Sequence, residues 1–322
     1  MNGIYFPGLG IYLKNVLSGI NIGSFELKFY GIIIAVGFIL AYTIATKEAK
    51  KTGQNDEDYL DFLLTMVIPV ILGARLYYII FNPSDFFEKG KSFGQVLFSM
   101  INLRNGGLAI YGGLIVGAIV GFLFCKKRKI YLPLFADNIC MGVLVGQILG
   151  RWGNFFNREV FGDYTSSVFR MAIPVEYYSK LFMGYLTSNG IVTQKMLDNQ
   201  EVVNGVSCIT VHPTFIYESL WNVAILLLIF FYRKHKKFDG EMAMLYVLGY
   251  GIGRFIVEAI RTDSLMMGPL KASQVVAVAC VIVALVVIIK NRIDIKNGKT
   301  PVLHVVGKCE PYQKPVEESG EN

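Results

Sequence analysis

Seven apolar runs, each of about 18–22 residues, constrain this chain more than any other feature. They lie at roughly 29–46, 60–81, 108–125, 132–150, 214–232, 242–260 and 272–290. As helices rising about 1.5 Å per residue, they measure about 27–33 Å, the thickness of a bilayer's hydrocarbon core. Only 17% of the 322 residues are charged and the mean hydropathy is +0.48. Soluble domains carry about 25% charged residues. An all-α polytopic membrane protein of seven spans is therefore expected.

Lysine and arginine in the short loops predict the orientation. The 47–51 loop holds Lys47, Lys50 and Lys51, the 126–129 loop reads KKRK, and the 233–237 loop reads RKHKK. Lys290, Arg292, Lys296 and Lys299 follow the last run. These basic loops alternate with poorer ones, which predicts an outward N-terminus and a cytoplasmic C-terminus. The long stretches at about 82–107 and 151–213 then face outward. The second is long enough for a small external domain between spans four and five, although the fold of 163–211 is not readable. The chain divides into a membrane domain, 1–290, and a polar tail, 291–322, expected to be disordered. The net charge of +7 sits mainly in these loops, so it does not suggest nucleic acid. The five cysteines share no spacing, and neither a zinc site nor a disulfide framework is indicated. No cleavable signal peptide is evident ahead of the first run.

The segment Gly150–Gly162, GRWGNFFNREVFG, carries the densest chemistry. Arg151, Arg158, Asn154, Asn157, Glu159 and four aromatic residues follow directly on the fourth run. Forked cations at a membrane boundary suit an anionic head group. An interfacial anchor is the plainer reading, but it has no use for the asparagines and Glu159. In the sixth run, GRFIVEAIRTD aligns Arg254, Glu258 and Arg261 on one helix face. Two arginines against one glutamate leave a spare positive charge, unless the pair merely joins two helices. HPTFIYESLWN opens the fifth run, with His212 suited to cap the helix, Pro213 to its first turn, and Glu218 and Asn222 one turn apart. Tyr30 opens the first run at aromatic-belt depth. Arg75 and Asp137, also within runs, read as structural pairing groups, because a charge at membrane depth needs a partner. Gly113, Gly117 and Gly121 share a helix face suited to close packing. The pair Gly106–Gly107 stands at the mouth of that span. Five polar clusters thus reach one depth: Tyr30, Asn105–Tyr111, Arg151–Glu159, His212–Glu218 and Arg254–Arg261.

These motifs, in this order, resemble those of the bacterial phosphatidylglycerol–prolipoprotein diacylglyceryl transferases. The matching segments are LKFYGIIIAVGF, NGGLAIYGGLIVG, GRWGNFFNREVFG, HPTFIYESLWN and GRFIVEAIRTD, and the likeness runs from about 25 to 290. The resemblance implies a seven-helix inner-membrane enzyme. Its reaction moves the diacylglyceryl group of phosphatidylglycerol onto the lipobox cysteine of a preprolipoprotein and releases glycerol 1-phosphate. It also implies no metal and no organic cofactor. Two positions depart from the pattern: Tyr111 stands where some members have a histidine, and Asn105 where many have glutamate.

Carried onto this sequence, the resemblance assigns Arg151, Arg254 and Tyr30 to catalysis. Tyr111 and His212 join them as candidates to contact or deprotonate the thiol. Arg151, Asn154, Asn157, Glu159, Gly162, Glu258 and Arg261 are assigned to phosphatidylglycerol binding. The protein is expected to work as a monomer. Two other readings stand beside this one. The arginines suit a transporter for anionic lipids, though no inverted repeat is visible. They also suit a structural membrane protein that uses them as anchors.

Overall fold

A computed structural model describes residues 2–23, 25–87, 92–102, 106–178 and 180–309. Among the described residues, seven helices are long and apolar enough to cross a membrane. They are α1 (Phe29–Lys51), α2 (Glu57–Phe81), α4 (Ile110–Arg128), α5 (Leu132–Asn157), α8 (Thr214–Tyr232), α9 (Glu241–Ile260) and α10 (Ala272–Lys296). Each expected run lies largely within one of them. Several helices outlast their apolar run, because the backbone ladder continues through polar residues such as Lys47 to Lys51. Short helices α3 (Phe93–Ile101), α6 (Lys180–Ser188) and α7 (Gln194–Asp198) lie between the long ones.

The helix α5 is the most enclosed of the seven. It packs on α1, α8 and α9; α10 lies along α9, and α2 pairs with α4. Small residues set these distances. A methyl on Gly142 would come 2.5 Å from the carbonyl oxygen of Ala41, so α1 and α5 touch backbone to backbone. The glycine stripe of α4 does face α2, but the tightest approach is at Gly112, beside the stripe, where a methyl would meet the Gly73 carbonyl oxygen at 2.3 Å.

One end of the bundle carries a small sheet domain, called here the sheet end; the other carries the basic loops, the loop end. The sheet has five antiparallel strands in the order β2 (Ile11–Leu13), β1 (Ile4–Phe6), β5 (Met171–Pro174), β7 (Val206–Val211), β6 (Glu201–Val203). Two of its strands thus come from the N-terminal residues, which the sequence reading left without a fold. A hairpin, β3 (Gly19–Ile22) and β4 (Phe25–Lys28), leads into α1, and a shorter one, β8 (Met266–Met267) and β9 (Leu270–Lys271), leads into α10. Buried Ile4, Phe6, Met171, Ile173, Ile209 and Val211 form one cluster with Phe155 and Phe215, from the ends of α5 and α8, and with Phe161 just beyond α5. The domain is thereby continuous with the bundle rather than hung from it.

Three local expectations change. His212 does not cap α8: Pro213 takes the cap position, and the His212 carbonyl accepts from the Thr214 N–H at 2.9 Å. Among the described residues Arg75 pairs with no carboxylate; it donates to the carbonyls of Ser99, Met100, Asn102, Gly106 and Gly107, fastening the end of α3 to α2. The first part of the tail is ordered, since α10 runs to Lys296 and Val305 is buried. There the Asp239 N–H donates to the Val302 carbonyl at 3.0 Å, and the carboxylate of Asp239 holds His304 by its backbone N–H and its ring. Asn105 and the tail from 310 onward lie outside the described residues.

Candidate active site

Three helices bring three arginines onto two buried glutamates at the sheet end. Arg151 lies in the last two turns of α5, Glu218 in the second turn of α8, and Arg254 and Glu258 in the last two turns of α9. Arg151 Nη2 stands 2.5 Å from Glu218 Oε2, and Arg254 Nη1 is 3.4 Å from the same oxygen. Arg254 Nη2 lies 2.7 Å from Glu258 Oε2, one helical turn on. Arg261 follows, 3.9 Å from Glu258 and bonded by two nitrogens to Asp263, each at 2.9 Å. The glutamate side chains are 5% and 1% exposed, against 18%, 16% and 11% for the three arginines. The carboxylates therefore lie beneath and the cations above them, nearer to solvent.

This arrangement revises the charge balance read from the sequence. Arg254 and Arg261 do not keep a spare positive charge against Glu258 alone, because Glu218 and Asp263 also serve the group: three arginines meet three carboxylates. The surplus comes from Lys271, at the end of β9. Its amine donates to the last carbonyls of α9, at 2.6 Å from Glu258 O, 3.2 Å from Ala259 O and 2.7 Å from Arg261 O. A cation there also opposes the negative end of the α9 dipole. Glu218 had no assigned role in the sequence reading, yet it is the centre that Arg151 and Arg254 share. Its other oxygen, Oε1, and Nδ2 of Asn222 one turn away are buried with no hydrogen-bond partner among the described residues. An unmet donor and acceptor at one site are what a ligand hydroxyl or a water can satisfy.

The signature segment surrounds this cluster. Tyr30 lies across Gly153, where a methyl would come 2.5 Å from its ring; only glycine lets α1 approach α5 there. Asn154 and Asn157 both donate to Glu159 Oε1, at 3.0 and 3.2 Å, forming a polar clasp at the end of α5. Arg158 turns away from the site. It is 1% exposed, lies 4.0 Å over the Tyr177 ring, and donates to the carbonyls of Phe156, Asn2 and Val16. Burial is the main influence on its guanidinium and lowers its pKa from the ordinary arginine value.

Gly162 is buried and serves a junction. Its N–H donates to the His212 carbonyl at 3.0 Å, and a methyl on it would stand 2.8 Å from His212 Cβ and 3.0 Å from the Ile260 carbonyl. It thus brings the signature, the start of α8 and the end of α9 into contact. His212 Nδ1 lies 3.3 Å from the Tyr217 hydroxyl, and burial lowers the ring's pKa below the ordinary imidazole value, Asp163 opposing this and Lys195 adding to it. This shift favours the uncharged imidazole. Tyr111 is drawn elsewhere: its hydroxyl lies 2.7 Å from that of Ser273, and it ties α4 to α10.

Chemically, the cluster can hold an anion. Arginine presents planar paired donors that match two phosphate oxygens, and the glutamates fix how those planes point. The sequence model of the family described as prolipoprotein diacylglyceryl transferase matches residues 18–290. Among curated proteins, the phosphatidylglycerol--prolipoprotein diacylglyceryl transferases of Bacillus mycoides (strain KBAB4) and Bacillus cereus (strain Q1) are 37% and 38% identical to this chain. Both alignments span 273 residues, 85% of this chain and 91% of each relative.

Proposed function

Since the chain belongs to the prolipoprotein diacylglyceryl transferase family, we propose that it carries out the first step of lipoprotein maturation. Phosphatidylglycerol is the donor and the lipobox cysteine of a prolipoprotein the acceptor. The observation that carries this reading is the convergence of Arg151 and Arg254, from separate spans, on Glu218.

The acceptor sulfur attacks the glycerol carbon that bears the phosphate ester. A C–S bond forms, the C–O bond to phosphate breaks, and glycerol 1-phosphate departs. Charge grows on that phosphate as it changes from diester to monoester. Arg151 and Arg254 meet it there, and Glu218 and Glu258 hold their planes in position before the reaction. The proton of the thiol leaves on the departing phosphate monoester or, because the second pKa of that group is about 6, passes mostly to solvent at neutral pH. A free cysteine has a pKa of about 8.5, so cations beside the sulfur raise the reactive thiolate fraction at neutral pH. Asn154, Asn157 and Glu159 suit the hydroxyls of the head-group glycerol. Gly162 and Arg261 are assigned to phosphatidylglycerol and Tyr30 to catalysis, and His212, beside Gly162, is a candidate to take the proton first. Tyr111, bonded to Ser273, is the weakest member of the original set.

The reading includes a bacterial cytoplasmic membrane, with the sheet end outside. Cysteine placed at Asn204 and at Lys234, both exposed, tests the orientation: a membrane-impermeant reagent on intact cells should label the first and spare the second. The decisive assay of the reaction incubates purified protein with phosphatidylglycerol and a lipobox peptide. Release of glycerol phosphate together with a diacylglyceryl mass gain on the peptide supports it. Binding of the lipid with neither product would leave a lipid carrier instead.

A further inference from the structure

The loop end holds a set of charges that the transfer reaction does not use. A cavity of about 500 Å³ opens there between the end of α1, the end of α8 and the tail. Four cations line it: Lys51, Arg233, Lys234 and Lys308. Among the described residues, one carboxylate pairs with them. Glu48, its side chain 3% exposed, pairs with Lys51 at 2.9 Å and with Arg233. Among the described residues, four cations less one carboxylate leave three positive charges around one space.

The cavity is built rather than a chance gathering of surface lysines. Arg233 is 11% exposed and lies 4.2 Å over the Phe230 ring, so its plane is fixed. Its Nε is buried without a hydrogen-bond partner among the described residues. The third wall is the tail itself, Val305 to Lys308, held by the bonds of Asp239 to Val302 and His304. That wall lies beyond residue 290, where the family match ends.

We propose that this cavity binds a phosphate-bearing anion, which joins Lys51 and Arg233 on the bundle to Lys308 on the tail. A guanidinium whose plane is fixed, flanked by ammonium groups, suits phosphate oxygens. The volume takes a phosphate with a small headgroup attached. The span ends lie at headgroup depth, so a lipid of the adjoining leaflet is one source and soluble phosphate the other.

The test uses the detergent-purified full chain carrying Arg151→Ala, which removes a principal phosphate-binding group of the proposed active site. Short-chain phosphatidic acid is titrated by native mass spectrometry, with phosphatidylcholine as the neutral control; inorganic phosphate is titrated by thermal shift. Phosphatidic acid should bind, and Lys234→Glu with Lys308→Glu should weaken it by about tenfold or more, since each cation near a lipid headgroup contributes about a factor of five. Both lysines are exposed, so the fold should survive, and Lys308→Ala alone should show a smaller loss. Stabilisation by inorganic phosphate, lost in the same variant, would name the soluble source; a response to the lipid alone would name the leaflet. Unchanged affinity in the double lysine variant, or binding of neither probe, overturns the proposal. Turnover of the double lysine variant, with Arg151 intact, should match the unsubstituted protein at saturating donor lipid.

Discussion

At the loop end Asp137 and Lys236 are 0% and 1% exposed; at the sheet end Arg151, Arg254 and Arg261 are 18%, 16% and 11% exposed. The enclosed pair is also saturated. Asp137 accepts from Lys236 at 2.8 Å and from the N–H groups of Gly240 and Ala243 at 2.9 Å each, while Lys236 also reaches Asp239 at 2.8 Å. Burial by itself would lower the Lys236 amine, but Asp137 and Asp239 offset this and its pKa is raised. The sheet-end group has buried carboxylates beneath partly open cations, and Glu218 Oε1 and Asn222 Nδ2 are unmet among the described residues. Charge that only joins helices closes on itself. Charge that acts on a ligand keeps a face open and some bonding capacity in reserve.

The contrast can be broken most directly at Asp137. Asp137→Ala takes from the buried Lys236 one of its two carboxylates and leaves the N–H groups of Gly240 and Ala243 unpaired; breaking such a buried pair costs about 3–5 kcal/mol. The expected result is a large fall in the amount of folded protein recovered from membranes, with the surviving fraction turning over at a normal rate. Folded yield near that of the unsubstituted protein would show that water reaches the pair.

Arg151→Ala and Arg254→Ala should do the reverse. Loss of one electrostatic donor at a reacting centre costs about 10²–10³ in rate. Glycerol phosphate release should fall by that order while yield and melting temperature hold. Lysine at either position should rescue poorly, because an ammonium lacks the paired plane. Glu258→Gln should be milder than either arginine loss if Glu258 only orients its neighbours. Equal severity would give it a part in proton transfer. Near-normal rates in both alanine variants would move the leaving-group site elsewhere.

Gly162→Ala separates packing from ligand contact. The added methyl meets His212 Cβ at 2.8 Å and the Ile260 carbonyl at 3.0 Å, so the junction must shift. Overpacking of this kind costs about 1–3 kcal/mol. A lower melting temperature with turnover reduced in the same variant fits a junction that positions Arg261 through its paired backbone. A changed affinity for phosphatidylglycerol with unchanged melting would make Gly162 a direct contact.

Much of this was legible in the chain, for identifiable reasons. Spans are dictated by length and apolarity, which are local, so all seven could be read. Arg151, Arg254 and Glu258 stood out because a charge at membrane depth is expensive and needs a cause. What stayed hidden depended on pairing across distance. Nothing local says that Ile4–Phe6 will pair with Met171–Pro174, more than 160 residues away, or that Arg158 will be spent on the carbonyls of Asn2 and Val16. Lys271 was equally silent, since it works on backbone oxygens that any residue carries. Glu218 was visible as a polar residue in a span, but its place between two arginines appears only when α5, α8 and α9 pack.

The smallest expected effect sharpens the comparison at a group between the two kinds. His212 sits at the rim, bonded to Tyr217 and packed on Gly162, and its ring is kept neutral chiefly by burial. Its folded pKa is below the unfolded value of about 6.5, so the unfolded chain binds more protons in the interval between them. This contribution to stability is therefore fully present above about pH 6.5, is lost as pH falls through the folded value, and is flat below it. Melting temperatures from pH 7.5 down to 5 should show a modest decline that His212→Gln removes. If the imidazole also takes the thiol proton, the acid limb of the turnover profile should vanish in the same variant. If His212 only supports the junction, the limb stays and only the melting profile changes. A profile identical to the unsubstituted protein in both measurements would show that its ring is no more buried than water allows.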